Sequence, residues 1–333
     1  MLETSSLGVL KNKKNLLAFS GGADSTALFF LLLKQNINFD IAIVNYNQRL
    51  QSIQEVAYAK ELASKYNLEC HTHVSTKISK NFESKAREIR YEFFEKLISS
   101  HSYENLLTAH HLGDRFEWML MQLCKGAGCA EIAGMKKVQV RNLYTLVRPL
   151  LHLDKQELYA YLDKEKRKYF EDETNLDEEI KRNSFRHNYS NPLLDKYLKG
   201  IKKSFEYIDE DRQTLIPEAQ INHIKDLSYF KSLKNTRADI FTIDKILKSK
   251  LYMLSAKDRE LLKESKSLIV GRKFIVCING DFIFIVAYSK ETSKTNMTSE
   301  FKDKCRILKI EPKLRPFLFQ NKEVFEEVKN LLN

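Results

Sequence analysis

The sequence predicts an α/β protein in which a Rossmann-like parallel sheet carries helices on both faces, followed by a smaller basic domain of helical or mixed structure. Short apolar runs alternate with helical stretches through the first half of the chain, and this alternation favours a parallel sheet covered on both faces. The alternation stops beyond Pro149. The length of 333 residues fits two domains of about 150 residues each.

Strand-like and helix-like segments follow one another in the first half. Strands are predicted at 16–19, 41–44, 70–74 and 106–109, and helices at 26–35, 52–66, 83–100 and 115–125. The later helices place apolar side chains at about the 3.6-residue period, and Gly126 and Gly128 favour a turn after the last of them. Because ligands bind beyond the carboxyl ends of parallel strands, the loops after these four strands are the candidate site.

The second half has a different pattern. The segments predicted there are a Lys- and Glu-rich helix at 154–168, a polar stretch outside the core at 171–191 and a long amphipathic helix at 193–215. Pro217 is expected to end that helix. The predicted division is a first domain at 1–195, a linker helix at 196–217 and a basic second domain at 218–333.

A hairpin is predicted inside the second domain. Two apolar runs, residues 274–278 and 281–287, are separated by Asn279 and Gly280. The Asn-Gly pair suits a type I′ turn, whose two central residues both need a positive φ. The sequence leaves the topology of the other residues beyond 218 open.

Composition excludes several classes of protein. With 43% hydrophobic and 30% charged residues, the chain has enough apolar side chains to bury a core. It has no apolar run near the roughly 20 residues that a membrane-spanning helix needs, and its first residues lack the apolar region of a secretory signal. We therefore expect a cytoplasmic protein without a membrane partner. The five scattered cysteines form no C-x-x-C pair, which argues against a disulfide framework, a zinc ribbon and an iron–sulfur cluster.

The net charge of +11 is concentrated in the second half. Residues 193–333 carry 28 Lys and Arg against 20 Asp and Glu, whereas residues 1–192 carry 27 against 24. A basic excess favours a polyanionic partner, nucleic acid above all. A general lysine bias of the organism's proteins explains the same charge, so charge alone does not decide.

The clearest motif is S-G-G-A-D-S at residues 20–25, the phosphate loop, between the first strand and the first helix. Two glycines let an anion approach the backbone N–H groups, and the helix N-terminus adds a favourable dipole. Asp24 would repel a phosphate, so it indicates either a bridging divalent cation or a helix cap. The loop lacks the lysine of a kinase-type P-loop and the third glycine of a dinucleotide fingerprint.

The phosphate loop resembles the S-G-G-x-D-S signature of the PP-loop family, the N-type ATP pyrophosphatases. The resemblance implies that ATP is cleaved between its α- and β-phosphates, with adenylation of a substrate and release of pyrophosphate. It also implies Mg²⁺ as a cofactor beside the substrate ATP. An ordinary strand-to-helix turn with Ser and Asp caps is the alternative interpretation of the same residues.

Four further segments are similar to the tRNA(Ile)-lysidine synthetase family, a branch of the PP-loop enzymes, in order and spacing: residues 86–91, 108–117, 171–175 and 181–186. The resemblance covers about residues 15–195. It departs at Asn47, where the family has a histidine, and in its D-D-Q segment, which is Gly113-Asp114-Arg115 here. This chain therefore has one carboxylate at a place where the family pattern offers two to a metal or an ammonium group.

The resemblance implies ATP-dependent ligation of L-lysine to C2 of the wobble cytidine in the CAU anticodon of isoleucine tRNA. The reaction passes through an adenylated tRNA, releases AMP and pyrophosphate, and changes codon specificity from AUG to AUA. The implied partners are that tRNA and L-lysine. The oligomeric state stays open, a homodimer included.

The matched positions give the expected site residues. The catalytic candidates are Asp24, Asp114 and Glu117, of which the last two are expected to orient the lysine ammonium and accept its proton. The expected ATP-binding residues are Ser20, Gly21, Gly22, Ala23, Asp24, Ser25 and His111, with Asp24 also as the metal ligand. The expected tRNA-binding residues are Arg49, Arg87, Arg90, Asp172, Asn175, Arg182, Asn183 and Arg186.

Several alternatives stay open at this point. A tRNA thiolation enzyme of the same family uses the same loop, a catalytically idle tRNA-binding homologue would keep only the fold, and a small-molecule amide synthetase would need no RNA. At the level of residues, Asp114 and Glu117 suit the first turn of a helix, where the dipole favours acidic side chains. Arg87 and Arg90 suit a solvated helix face, and residues 171–186 suit a polar linker.

Overall fold

The computed structural model describes residues 1–48, 51–78, 81–171, 181–215 and 217–332. The chain divides into two compact units, Met1–Asp209 and Glu210–Asn333. The division falls inside the segment that the sequence predicts as a linker helix. Among the described residues, no helix is both long enough and apolar enough to cross a membrane.

The first unit contains a six-stranded sheet. Its strands are β1 Asn15–Ala18, β2 Phe39–Asn45, β3 Cys70–Val74, β4 Asn105–Leu107, β5 Val138–Val140 and β6 Thr145–Val147. The order across the sheet is β3-β2-β1-β4-β6-β5, with parallel pairs throughout except for β5, which runs antiparallel at the edge. The predicted parallel sheet is confirmed. The β5–β6 edge was not predicted, because three-residue strands are too short to show a period.

Helices connect and cover these strands. They are α1 Thr4–Leu10, α2 Ala23–Lys34, α3 Gln51–Tyr66, α4 Phe82–His101, α5 Leu112–Leu123, α6 Cys129–Ile132, α7 Lys155–Lys164, α8 Lys181–Phe185 and α9 Asn191–Leu215. A π-helical turn at Arg186–Ser190 joins α8 to α9, and α9 is kinked at Tyr197. Residues 181–191 of the polar stretch are helical and bury the polar side chains of Asn183 and Ser190, but none of the described side chains among them belongs to a hydrophobic core cluster, as predicted. Residues 172–180 lie outside the described residues.

The two faces of the sheet have separate cores. Leu17 of β1 belongs to the core under α2, α3 and α7, whereas its neighbour Leu16 belongs to the core under α4. Successive side chains of a strand point to opposite faces, so a short apolar run suits a sheet covered on both sides. Phe29 of α2 is fully buried, and its ring makes edge-on contacts with Phe19, Phe30, Phe39 and Tyr66.

The second unit is built on a five-stranded antiparallel sheet. Its strands are β7 Asn222–Ile224, β8 Leu227–Lys231, β9 Ser267–Val270, β10 Phe274–Asn279 and β11 Phe282–Ala287, in the order β7-β8-β11-β10-β9. Its helices are α10 Thr236–Ser249, α11 Ala256–Glu264, α12 Lys290–Ser293, α13 Ser299–Ile307, α14 Arg315–Gln320 and α15 Lys322–Leu332. One sheet face packs against α10 and α11 and the other against α13, α14 and α15. This double cover explains why both apolar runs of the hairpin lack polar alternation.

The predicted hairpin is confirmed, but its turn is one residue further along the chain. Asn279 pairs with Phe282, so the two turn residues are Gly280 and Asp281. Gly280 has φ +59° and Asp281 is not among the residues with positive φ, a pattern that fits a type II′ turn and not type I′. Asn279 is buried, and its side-chain amide donates to the carbonyl oxygen of Lys309.

Because Phe29 lies within a cluster of aromatic rings, we expect that truncating its side chain will strongly destabilise the protein. Phe29→Ala should lower the free energy of unfolding by about 3–5 kcal/mol, because it leaves a cavity among edge-on rings. Urea unfolding followed by circular dichroism measures this change. The matched change Ile53→Ala on α3, where the side chain is exposed, should stay within about 0.5 kcal/mol of wild type. Equal losses for the two variants would contradict the assignment of the core.

Candidate active site

The phosphate loop joins the end of β1 to the start of α2. Gly21 has φ +77°, a left-handed conformation that favours glycine. A Cβ at this position would lie 3.4 Å from Glu55 Cβ and 3.4 Å from Phe170 Cδ2, so the site is also close-packed. The N–H of Phe170 donates to the Gly21 carbonyl oxygen at 2.9 Å and holds the loop from the other side.

The start of α2 offers backbone donors without a side-chain cap. The N-cap residue is Gly22, which has no side chain, and the first intrahelical bond runs from the N–H of Thr26 to the Gly22 carbonyl oxygen. The N–H groups of Ala23, Asp24 and Ser25 belong to the first turn, which has no intrahelical acceptor. Ser25 Oγ donates to the Gly22 carbonyl oxygen at 3.1 Å and fixes the turn. The loop thus has the form of an anion site.

Asp24 is the second residue of α2 and does not cap it. Its Oδ1 is buried and has no hydrogen-bond partner among the described residues, while Oδ2 lies 3.9 Å from His111 Nε2. Burial raises the pKa of Asp24, as does Asp114, against the opposing charges of His111, Lys155 and Arg186. Of the two interpretations of Asp24 from sequence, the helix cap is therefore wrong. A buried carboxylate oxygen without a donor is the group that a divalent cation takes as a ligand.

The start of α5 brings His111 and Asp114 next to Asp24. The helix begins at Leu112, three residues before the position expected from sequence, and His111 is its N-cap. His111 Nδ1 accepts from the N–H of Gly113 at 3.0 Å, and Asp114 Oδ2 accepts from the N–H of His111 at 3.0 Å. This reciprocal capping leaves His111 Nε2 facing the two carboxylates, 3.6 Å from Asp114 Oδ2.

Gly113 has a local reason to replace the carboxylate of the family pattern. A Cβ built at Gly113 would lie 2.8 Å from His111 Cε1 and 3.0 Å from its Nδ1. Any larger residue therefore requires the imidazole to move. In this chain the absence of a side chain at Gly113 lets His111 lie flat over the first turn.

Asp114 and Glu117 are paired with two arginines. Arg182 lies 2.5 Å from Glu117 Oε1 and 2.9 Å from Asp114 Oδ1, and Arg186 Nε lies 3.0 Å from Glu117 Oε2. Glu117 is 2% exposed and Asp114 12%, so the carboxylates of this four-residue ion cluster are shielded from water, whereas the Arg182 side chain is 38% exposed. The structure thereby brings together Asp114, Glu117, Arg182 and Arg186 from two distant predicted segments.

The ion cluster sets the protonation of Asp114 and surrounds His110. Burial alone would raise the pKa of Asp114, but His111, His110, Arg182 and the N–H of His111 together hold it well below its ordinary value. Burial lowers the pKa of His110 to about 4. Arg148, Arg182 and Arg87 act on His110 in the same direction as burial, whereas Asp114 opposes them. A carboxylate with a lowered pKa is a weak proton acceptor, which disfavours Asp114 as the base.

Among the other predicted positions, Arg87 and Arg90 are exposed on α4, and the Arg87 guanidinium lies 4.8 Å from the centre of the Tyr91 ring. Asn183 is buried, which suits support of its segment more than contact with RNA. Arg49, Asp172 and Asn175 lie outside the described residues.

Two residues near the site were not singled out from sequence. His110 accompanies His111 in its motif, but nothing in the sequence indicates its burial. Lys155, the first residue of α7, acts on Asp24 and lies in no motif. The proximity of Lys155 to Asp24 becomes visible only once α7 is packed in the fold.

The remaining departures from the family pattern also have structural partners. Asn47 adopts φ +52°, which asparagine tolerates better than most residues, and its amide donates to the Ser75 carbonyl oxygen at 3.1 Å. Arg115 is 2% exposed, donates twice to Asp209, and its guanidinium lies 4.3 Å from the centre of the Phe205 ring. Both residues serve the local structure.

Comparison with known proteins identifies the class first. The sequence matches the PP-loop domain family over residues 3–193, more than half of the chain. The fold is similar to that of the U34-tRNA thiolase NcsA from Methanococcus maripaludis, with a TM-score of 0.53 and 18% identity, over 64% of this chain and 76% of that one. At this identity the likeness concerns the fold alone. The fold and the phosphate loop together define a PP-loop, ATP-using enzyme.

Relatives in sequence then identify the family. The tRNA(Ile)-lysidine synthase of Helicobacter pylori is 44% identical over 93% of this chain and 90% of its own length. Those of Campylobacter jejuni and Wolinella succinogenes are each 41% identical, over 95% and 93% of this chain and 95% and 94% of their own. The chain belongs to the tRNA(Ile)-lysidine synthase family, so it is an enzyme of tRNA modification.

The buried His110 predicts a pH dependence of stability. In the unfolded chain its pKa is 6.5, whereas folding lowers it to about 4, so the folded state binds fewer protons between these values. Stability is therefore complete above about pH 6.5 and falls as the pH decreases toward 4, by about 3 kcal/mol for this one group.

Urea unfolding of His110→Asn at several pH values measures this contribution. In this variant the free energy of unfolding should depend less steeply on pH, because the titrating imidazole is gone. The asparagine amide can still bond Thr108 Oγ1, the partner of His110 Nδ1. The matched control is His223→Asn, since His223 Nδ1 also pairs with a hydroxyl group but is exposed. A slope unchanged in His110→Asn would show that His110 is not buried in its neutral form.

Proposed function

We propose that this enzyme ligates L-lysine to C2 of the wobble cytidine in the CAU anticodon of isoleucine tRNA, at the expense of ATP. The observation that carries the proposal is the uncapped start of α2 beside Asp24, whose buried Oδ1 has no partner among the described residues. The curated relatives named tRNA(Ile)-lysidine synthase support this choice of reaction within the PP-loop class.

The first step is adenylation of the tRNA. The C2 oxygen of cytidine is a poor leaving group, so it first attacks the α-phosphorus of ATP, and the bond to the pyrophosphate oxygen breaks. The N–H groups of Ala23, Asp24 and Ser25 bind the phosphates and stabilise the negative charge that develops on pyrophosphate. Loss of one such donor typically costs about 10²–10³ in rate. Ser20, Gly21 and Gly22 shape the loop around the phosphates.

Asp24 fits a Mg²⁺ ligand. Its carboxylate has the hard oxygen donors that Mg²⁺ prefers, and no neighbouring donor occupies Oδ1 among the described residues. When bound, Mg²⁺ neutralises part of the triphosphate charge. His111 Nε2, at 3.9 Å from Asp24 Oδ2, positions this carboxylate and faces the nucleotide side of the loop.

The second step transfers lysine. The lysine amine attacks C2, the bond between C2 and the adenylated oxygen breaks, AMP leaves and the amine gives up a proton. Asp114 and Glu117 act here by positioning Arg182 and Arg186, whose charges suit the AMP phosphate and the anticodon backbone. Both oxygens of Glu117 already accept from arginines, and the pKa of Asp114 is held low, so neither carboxylate is placed to take the proton of the lysine amine, which passes to water.

The tRNA is recognised by basic groups in both units. Arg87 and Arg90 present charge on the exposed side of α4, and Arg49, Asp172 and Asn175 extend the proposed set beyond the described residues. Asn183 supports the segment that carries the two cluster arginines. The basic second unit binds the tRNA body through its phosphates, while the single-stranded anticodon bases are read at the first unit.

Removal of the Asp24 charge should stop the first step. Asp24→Asn keeps the shape of the side chain but not the ligand charge, so pyrophosphate release with tRNA should fall by at least about 10²-fold. Mass spectrometry of the anticodon loop after incubation with ATP and labelled lysine should show the added lysine for wild type and none for the variant.

The matched control for that experiment is Asp163→Asn, at an exposed aspartate of α7, which should leave both signals unchanged. Normal pyrophosphate release by Asp24→Asn would contradict the assignment of the phosphate loop. Pyrophosphate release without lysine in the product, or sulfur in its place, would instead contradict the proposed reaction.

Deletion of residues 218–333 should separate the two binding functions. Because this segment contains most of the excess positive charge, tRNA affinity should fall by at least about tenfold and its salt dependence should weaken. ATP affinity should change less than about twofold, since the phosphate loop lies in the other unit. Filter binding and fluorescent ATP titration measure the two affinities. Equal losses of both would contradict this division of roles.

A further inference from the structure

A second cluster of ligand-type side chains lies at the amino end of the parallel strands, whereas the phosphate loop follows their carboxyl ends. Glu69 directly precedes β3, His71 is the second residue of β3 and His101 is the last residue of α4. One ligand atom of each lies within 4.8 Å of the others. The mechanism proposed above uses none of these three residues.

The hydrogen bonds of His71 fix its tautomer. The Tyr103 hydroxyl donates its one hydrogen to Asp40 Oδ2 at 2.7 Å. Tyr103 Oη therefore accepts at its 2.8 Å contact with His71 Nε2, which must carry the hydrogen. In the neutral ring the lone pair is then on Nδ1, and Nδ1 lies 3.6 Å from Glu69 Oε1.

The same reasoning applies to His101. Ser100 Oγ donates to the Lys96 carbonyl oxygen at 2.9 Å, so it accepts at its 2.8 Å contact with His101 Nδ1. The hydrogen of the neutral His101 ring is thus on Nδ1 and its lone pair on Nε2. The two imidazole rings contact each other edge-on, with 4.7 Å between their centres.

The lone pair of His71 Nδ1 faces the Glu69 carboxylate with no hydrogen between them, and a ring nitrogen of His101 lies within 4.8 Å of a ligand atom of each. Such an arrangement is unfavourable unless a cation joins the groups. From this geometry we propose that Glu69, His71 and His101 bind a divalent transition metal of the Zn²⁺ type. Two imidazole nitrogens and one carboxylate are a common Zn²⁺ ligand set, with water in the fourth position. The same donors are poor for Mg²⁺, which prefers oxygen ligands.

The geometry needs only a small adjustment. Tetrahedral Zn²⁺ with bonds of about 2.0–2.1 Å places its ligand atoms about 3.4 Å apart. His71 and Glu69 are already close to that distance at 3.6 Å, and the Glu69 side chain is 55% exposed and free to rotate toward the metal. His71, by contrast, is 9% exposed and rigidly held.

The surroundings support a metal ligand in two ways and oppose it in one. The chain from His71 through Tyr103 to Asp40 is the carboxylate-linked support that orients metal-binding histidines. His101 ends α4, where the helix dipole favours a cation. Lys14 is the opposing charge, but its ammonium is held by the His101 carbonyl oxygen and lies 4.8 Å from the centre of the Tyr103 ring.

Bound metal would tie the edge strand β3 to the end of α4. The His71 and His101 rings, one from each element, already contact each other edge-on. The proposed site is independent of the nucleotide chemistry at the carboxyl ends of the strands.

Zn²⁺ titration of the full-length, tag-free, chelator-treated protein tests the proposal, with excess Mg²⁺ present throughout. Calorimetry should show one Zn²⁺ per chain, Co²⁺ should give a visible absorption band of a nitrogen-ligated ion, and Zn²⁺ should raise the melting temperature. His71→Gln should abolish these signals, and Glu69→Gln and His101→Gln should each weaken affinity at least about tenfold.

Tyr103→Phe tests the role of the supporting hydroxyl. It removes no ligand, yet it should weaken Zn²⁺ affinity about 10–100-fold, because His71 loses the partner that fixes its tautomer. His73→Gln is the matched control, since His73 lies two residues along the same strand, stacked on Phe93. His73→Gln should bind Zn²⁺ as wild type does, and all variants should keep pyrophosphate release.

The proposal is overturned by either of two results. One is the absence of saturable Zn²⁺ binding by the wild-type protein. The other is binding of equal stoichiometry and affinity in His71→Gln, which would place the metal elsewhere. Loss of pyrophosphate release in the wild type would bear on the proposed function and not on this site.

Discussion

The first turn of α2 is the constraint on which the rest of the site depends. Gly21 takes a left-handed φ, Gly22 offers no capping side chain, and the N–H of Phe170 holds the loop in place. These features leave backbone donors at a helix start with no acceptor from the helix itself. Backbone donors of this kind destabilise the folded chain unless an anion or water accepts their hydrogen bonds. The strand-to-helix turn therefore favours binding of a ligand over local stability.

Much of this fold follows from sequence because its signals are local. The strands β1, β2 and β4 are short, mostly apolar runs, and the phosphate loop is a contiguous motif. The elements that were predicted wrongly or missed also have local causes. The hairpin turn shifted by one residue because buried Asn279 bonds the Lys309 carbonyl oxygen, and three-residue strands such as β5 and β6 are too short to show a period.

The ion cluster of Asp114, Glu117, Arg182 and Arg186 is a feature that the sequence alone could not predict. Asp114 and Glu117 were expected to meet a substrate ammonium, yet they bond Arg182 and Arg186, more than 60 residues further along the chain. Nothing in the spacing of either segment encodes that partnership, because it depends on α5, α8 and the π-helical turn packing together. The same holds for the departures from the family pattern, since Gly113 and Arg115 are explained only by His111 and Asp209.

The double-covered sheet of the second unit limits how that unit can meet RNA. Helices α10 and α11 pack on one face and α13 to α15 on the other, so among the described residues both faces of this sheet are covered and neither lies open for nucleobases to stack upon. Many small RNA-binding domains read bases on such an open sheet. The helices of this unit carry many lysines, and a surface of that kind suits the sugar–phosphate backbone of a folded tRNA more than its bases.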